Sequence, residues 1–378
     1  SPHETMATNF LEGRGLTYDM KINDRLTITR YYEDELVYPL LCGIVYSLTK
    51  HNTAVLLFVQ VVYTSLIPVF VYGLAKLLFD VRVARLSAVL SALSPGIIVY
   101  AASKIHSMTF YSLVFCVALF AAAAYMKKQD HVRAVFLGAM LGLAFLSRNN
   151  FVVFIPFLFL YLFLKKSLNL SGLAKISAAA LLVLLPLVIR NYMVYQKVVI
   201  LKPAVIWPAM NPKASGTLYS QDGSDAFTDV NRLFANDTRL TDLEYASSIN
   251  KAVYENIRNN KLGYLVLCLK RFYYFWWFSP DTGREYAGYY LTLYKPYYAL
   301  MLAFALCGIV FLAFQKHPAA SPHWLLLILF ILSTTLPHYL YYGEGRHRFA
   351  LEPLLVIFTS YGLLHGYQLF RGLLRRSL

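Results

Sequence analysis

The feature that most restricts this chain is a succession of apolar runs, each near the length of a bilayer crossing. They occupy 53–79, 86–102, 109–126, 133–147, 150–164, 173–192, 294–314, 323–341 and 349–370. A helix needs about 20 apolar residues to cross the hydrocarbon layer. A lipid-embedded backbone must also satisfy its own hydrogen bonds, which leaves helices for runs of this kind. Only 15% of the 378 residues are charged, against about 25% in a soluble domain. The expected fold class is an all-α, multi-pass transmembrane helical bundle with an extracytoplasmic loop region. Two of the runs, 133–147 and 150–164, are short and parted only by Arg148 and Asn149; they suit a helical hairpin that does not fully emerge.

The net charge of +15 would suggest nucleic acid in a soluble protein. Here Lys and Arg on cytoplasmic loops account for it, and no nucleic-acid partner is expected. Arg82 and Arg85, Lys127, Lys128 and Arg133, Lys165, Lys166 and Lys175, Lys316, and Arg371, Arg375 and Arg376 all fall on one side of the nine-span reading. The C-terminus is then cytoplasmic. The loops 103–108, 148–150, 193–293 and 342–348, with the N-terminal segment, lie on the opposite, extracytoplasmic face of a cell (inner) membrane. The chain opens in polar sequence at Ser1, with no charged n-region and no apolar h-region. One further span before Ser1 would complete this topology most simply.

Four divisions follow. Residues 1–52 form a first extracytoplasmic loop, with a short helix near 6–11 and an interfacial or re-entrant helix at 36–49. Residues 53–192 are transmembrane, 193–293 form a long loop, and 294–378 return to the membrane. Within the loop, Lys270 and Arg271 interrupt an apolar run that ends on Trp276 and Trp277. A span would have to bury both charges, so an amphipathic interfacial helix with an aromatic anchor is expected. Cys42, Cys116, Cys268 and Cys307 show no metal or redox spacing and are expected to be buried small hydrophobes.

The polar residues of the extracytoplasmic face carry the candidate chemistry. Glu33, Asp34 and Glu35 are consecutive acids, suited to a solvated turn, a general base or a divalent metal. Lys104 and His106 share a short loop, where the lysine can equally snorkel. Arg148 and Arg190 end apolar runs. The stretch 336–355, L-P-H-Y-L-Y-Y-G-E-G-R-H-R-F-A-L-E-P-L-L, packs His338, Tyr342, Glu344, Arg346, His347, Arg348 and Glu352 between two spans. Arginine forks match phosphate oxygens, so a cationic rim at headgroup depth suits a lipid phosphate, and aromatic loop residues suit sugar rings.

Several stretches resemble the GT-C superfamily of integral-membrane glycosyltransferases, the group related to protein O-mannosyltransferases and the aminoarabinose transferases of lipid A. They are M-A-T-N-F-L-E-G-R-G-L (6–16), Y-P-L-L-C-G-I-V-Y-S-L (38–48), L-G-L-A-F-L-S-R-N-N (141–150), L-P-L-V-I-R-N-Y (185–192), M-N-P-K-A-S-G (210–216) and G-E-G-R-H-R-F-A-L-E-P-L-L (343–355). The resemblance implies inverting transfer of a sugar from a polyprenyl-phosphate donor to a glycan, lipid or protein acceptor. It puts the general base at or just before Ser1, with Glu4 the nearest visible carboxylate and Asp34, Glu35 and His106 the further catalytic candidates. A second family acid is replaced here by S-K-I-H-S-M-T-F, which leaves metal use open: no cofactor is certain, and a divalent metal is compatible. Arg346 and Arg348 are the first choices for donor phosphate, then Lys104, with Arg148, Arg190, His338 and Tyr342 around them. The alternatives are a transporter or flippase of a polyprenyl-linked glycan, whose polar sites would sit near the bilayer midplane, and an inactive scaffold subunit.

Overall fold

The computed structural model describes residues 2–23, 26–31, 35–201, 203–234, 242–285, 288–314 and 322–377. Helix α1 (Pro2–Leu11) leads into an antiparallel hairpin, β1 (Thr17–Asn23) and β2 (Leu26–Tyr31), paired from Thr17↔Tyr31 to Asn23↔Leu26. The hairpin is not anticipated above, although T-Y-D-M-K-I-N and L-T-I-T alternate polar and apolar residues as a two-sided strand does. The short apolar helix expected at 36–49 is α2 (Val37–Thr49).

Then follow α3 (Thr53–Thr64), α4 (Ile67–Leu78), α5 (Val81–Ala92), α6 (Pro95–Ser103), α7 (Met108–Lys127), α8 (His131–Ser147), α9 (Phe154–Leu164) and α10 (Leu170–Tyr195). By length and composition, α3 with α4, α7, α10, α15 (Gly288–Phe314) and the stretch Gly345–Leu369 can each cross a membrane. The expected single span at 86–102 is instead a pair, α5 and α6, bent by 43°. Pro95 opens α6, where its missing N–H costs nothing. Helices α8 and α9, with α16 (Leu325–Leu340), are shorter. At 1.5 Å per residue the 17 residues of α8 reach only about 25 Å. The join between α8 and α9 therefore stays close to the bundle.

Helix α7 is the core of the bundle, buried along most of its length, as is the N-terminal part of α17 (Glu352–Ser377). Between helices, small residues set the approach. A Cβ on Gly138 or Gly142 of α8 would collide with the Ile176 or Ala180 carbonyl of α10. One on Gly308 or Gly362 would meet the backbone of the partner in the α15–α17 pair.

The loop 193–293 is a small domain rather than a connection. It holds α11 (Ala226–Phe234), α12 (Asp242–Asn259), α13 (Lys261–Trp276) and α14 (Thr282–Glu285). Trp207, Met210, Val230, Ile249, Val253 and Leu267 give it a core separate from the bundle's. Helix α13 differs from the interfacial expectation. Its Lys270 is exposed, but Arg271 is fully buried and donates to the carbonyls of Leu340 (2.9 Å) and Ala209. A charge can enter this interior because helix-end carbonyls need donors. Among the cysteines, Cys42, Cys116 and Cys268 are buried as expected, whereas Cys307 is exposed on the outward face of α15.

Candidate functional site

Three joins and the N-terminal helix meet at one end of the bundle, and Glu35 is their meeting point. It precedes α2 and is 4% exposed. The Leu36 N–H donates to Leu146 O (3.1 Å), which ties this join to the end of α8. One Glu35 oxygen pairs with Arg148, in the extended residue that ends α8. The other accepts from Ser107 at the start of α7 and lies 3.4 Å from His3 Nε2 of α1. The His3 ring sits edge-on to His106 at 5.2 Å and to Tyr38 at 5.1 Å. Arg148 lies over the Tyr111 ring at 4.9 Å. Gln60 of α3, fully buried, holds the 104–107 join from below: its amide donates to the carbonyls of Tyr100, Ala101 and Lys104 (2.7–3.1 Å) and accepts from Tyr38.

This surrounding decides the charge states. Burial alone would push the Glu35 carboxyl up. Arg148, His3, His106 and the Ser107 hydroxyl outweigh it and hold Glu35 below its ordinary value. His106 moves the other way from a typical partner of a carboxylate: burial, against the pull of Glu35, lowers it to about 3. His3 is lowered for the same reason. The site at neutral pH is thus one carboxylate, one guanidinium and two neutral imidazoles.

A second layer lies behind Arg148. Asn150 Nδ2 is 3.2 Å from His338 Nε2, and the His338 ring stacks between Phe275 (5.3 Å) and His347 (4.3 Å). The Tyr342 carbonyl meets His338 Nδ1 at 3.3 Å, and its ring stands edge-on to His347. Arg346 ends this layer. It forms an ion pair with Glu344 (Nε–Oε2 2.7 Å), keeps part of its side chain in solvent, and lines two adjoining clefts. One cleft has an aromatic wall of Tyr100, Phe278, Tyr290 and Tyr294. The other is polar, with Ser279, Asp281, Thr282 and Glu344.

The expected site residues therefore divide. Glu35, His106, Arg148, His338, Tyr342 and Arg346 gather at this end of the bundle. Lys104 is close by, its ammonium 5.1 Å from the Tyr100 ring. Glu4 accepts from Tyr46 OH (2.7 Å). Arg190 bonds its neighbour Asn191 (2.7 Å). Asp34 lies outside the described residues. Arg348 borders the aromatic cleft together with Arg346 but is held differently. Expected as a phosphate ligand, it is fully buried, donates to the carbonyls of Phe275 (3.0 Å) and Trp277 (2.5 Å), and lies against the faces of Tyr298 (3.9 Å) and Phe278 (4.6 Å). Its guanidinium holds the end of α13 to the segment before α17. His3, Ser107, Asn150, Tyr111 and Gln60 were missed. Of these, His3 and Ser107 adjoin residues that the sequence singles out, Glu4 and His106, and Asn150 lies two positions from Arg148. Among the described residues, no group of three or more His, Cys, Asp or Glu is arranged to hold a metal. Both Glu35 oxygens are already engaged by cationic or hydroxyl donors, a poor donor set for one.

Residues 35–190 match the family model of dolichyl-phosphate-mannose-protein mannosyltransferases. No curated protein matches the chain. Among solved structures, the oligosaccharyltransferase of Archaeoglobus fulgidus is similar in fold. Its apo form aligns over 98% of this chain and 47% of its own, at 15% identity and TM-score 0.56. The form complexed with zinc and sulfate covers 90% and 42%, at 14% and 0.51. The form of that protein, AglB, bound to an inhibitory peptide and a dolichol-phosphate covers 91% and 44%, at 14% and 0.51. The chain spans less than half the length of these structures. Its fold is similar to that of this oligosaccharyltransferase.

Proposed function

We propose, from this fold and the GT-C resemblance, that this chain is a membrane glycosyltransferase that takes a sugar from a polyprenyl-phosphate donor on the extracytoplasmic face. The observation that carries this reading is the gathering of helix joins at one end of the bundle, where Glu35 fixes Arg148 and the partly exposed Arg346 borders two clefts, within a fold whose segment 35–190 matches the dolichyl-phosphate-mannose-protein mannosyltransferase model. The names of the matching family and of the dolichol-phosphate-bound neighbour support the donor class.

In the proposed reaction an acceptor hydroxyl or amide attacks the anomeric carbon. The new bond forms as the bond from that carbon to the phosphate oxygen breaks, and polyprenyl phosphate departs with the electron pair. Negative charge grows on the departing phosphate, where fixed cations lower the barrier most. Arg346 and Lys104 are the reachable cations, and Arg148 adds its field from behind. The acceptor proton goes to a carboxylate. Glu35 is a weak base because Arg148 and its other partners keep it ionised; its proposed work is to fix Arg148. We take the base to be a carboxylate near the start of α1, as the resemblance implies; the contact of its first turn with Glu35 through His3 supports this.

Membranes carrying the full chain, supplied with radiolabelled polyprenyl-phosphate mannose and separately with the glucose analogue, test the reading. Release of polyprenyl phosphate with label retained in an acceptor is expected. Release no greater than from membranes lacking the chain, with both donors, overturns it.

A further inference from the structure

Glu344 occupies the place of a ligand. Its carboxylate is 7% exposed and pairs with Arg346, the cation that borders both clefts. Its other oxygen accepts from the Leu218 N–H (3.3 Å) of the small domain. Gly345, between the pair, is hemmed in as well: a Cβ there would lie 2.8 Å from the Arg348 guanidinium and 3.3 Å from Trp277 O. The backbone around Arg346 is therefore tightly held, while its side chain faces a carboxylate borrowed from the same turn. Carboxylate and phosphate present the same oxygens to a guanidinium.

We infer that Glu344 is an internal stand-in for the donor phosphate, a latch that an incoming phosphomonoester or phosphodiester must displace from Arg346. The inference rests on the reading of Arg346 as the donor-phosphate cation. Displacement turns Glu344 out of the pair and loosens its hold on Leu218. Phosphate binding is thereby coupled to the small domain, whose Ser279, Asp281 and Thr282 line the polar cleft. A competing internal anion also lowers the apparent affinity for the ligand by the fraction of time that it holds the site. Glu344 thus becomes an affinity-setting residue that opposes binding, the reverse of what a substrate contact or a packing residue would do.

Binding of farnesyl phosphate, and separately of inorganic phosphate, to the purified full chain in nanodiscs tests this. Glu344→Gln keeps an acceptor for the Leu218 N–H and removes the charge. It is expected to bind farnesyl phosphate about five- to tenfold more tightly than the wild type, as removal of a competing state should. Glu344→Asp, one methylene shorter, should fall between the two and serves if the glutamine variant melts early. Inorganic phosphate should show the same ranking at lower affinity; a reversed ranking there overturns the latch. Unchanged or weaker farnesyl phosphate binding in both Glu344 variants also overturns it. Arg346→Ala separates the two claims: if that variant binds as the wild type does, the donor-phosphate reading of Arg346 fails, whereas its loss of binding without tightening in Glu344→Gln sinks the latch alone.

Discussion

Arg148 ends one apolar run and Arg348 opens another, yet the fold uses them in different ways. Arg148 faces a buried carboxylate across a join between helices and retains a path to solvent. Arg348 is fully buried, where it donates to two helix-end carbonyls and lies against two aromatic faces. Arg271 repeats the second pattern with Leu340 O and Ala209 O. An arginine in a membrane protein can therefore be a ligand or a bracket, and its partner tells which. A carboxylate can be exchanged for a phosphate, whereas a helix-end carbonyl has no other donor.

The sharpest way to break that contrast is a double-mutant cycle. Arg148→Met leaves Glu35 buried and uncompensated, and should cost about 3–5 kcal/mol. Adding Glu35→Leu should restore about 1–3 kcal/mol of that, the coupling expected of directly paired residues. Purely additive thermal melts in nanodiscs would mean that the pair is not one unit. Arg348→Met should follow, costing about 3 kcal/mol from carbonyls left without a donor. Transfer per folded molecule should stay near the wild-type value. Loss of transfer with unchanged melting would make Arg348 a ligand after all.

Acid should sharpen the contrast less strongly. Below pH 6.5 the unfolded chain takes up protons that buried His106 refuses until about pH 3. Glu35, held below its ordinary 4.5, adds the same sign at lower pH. The unfolded state binds more protons throughout this window, so stability falls as pH falls. Melting temperature should decline from pH 7 to pH 4, and His106→Gln should flatten the slope; a flat wild-type profile would contradict the burial of these groups. The smallest effect is expected at Lys213, whose pair with Asp222 (2.6 Å) is solvent-exposed on both sides. Lys213→Ala should leave the melt unchanged, since exposed pairs contribute little.

Much of this was legible in the residues. Apolar run lengths set the fold class, and the Lys/Arg asymmetry grouped the 103–108, 148–150 and 342–348 joins on one face. The structure brings those same joins to one end of the bundle. What escaped was whatever depends on partners rather than on pattern. Arg346 and Arg348 look alike two positions apart in G-E-G-R-H-R, and only three-dimensional packing leaves one partly exposed between two clefts and buries the other against Phe275 O at the wall of one of them. Gln60 lies in an apolar run with nothing to mark it, because its partners are carbonyls 40 or more residues away. His3 entered the site through the packing of α1 on α2, which six polar or small residues in ten positions gave little reason to expect. The hairpin shows in the sequence only as alternation, within a segment dominated by charge.

The most direct measurement is donor kinetics for Arg346→Ala beside the wild type, on folded full-length protein with a polyprenyl-phosphate sugar. The account predicts a KM for donor at least about tenfold higher, the scale of one charge-assisted contact to phosphate, with melting temperature unchanged. Equal KM and turnover in the two proteins would contradict it.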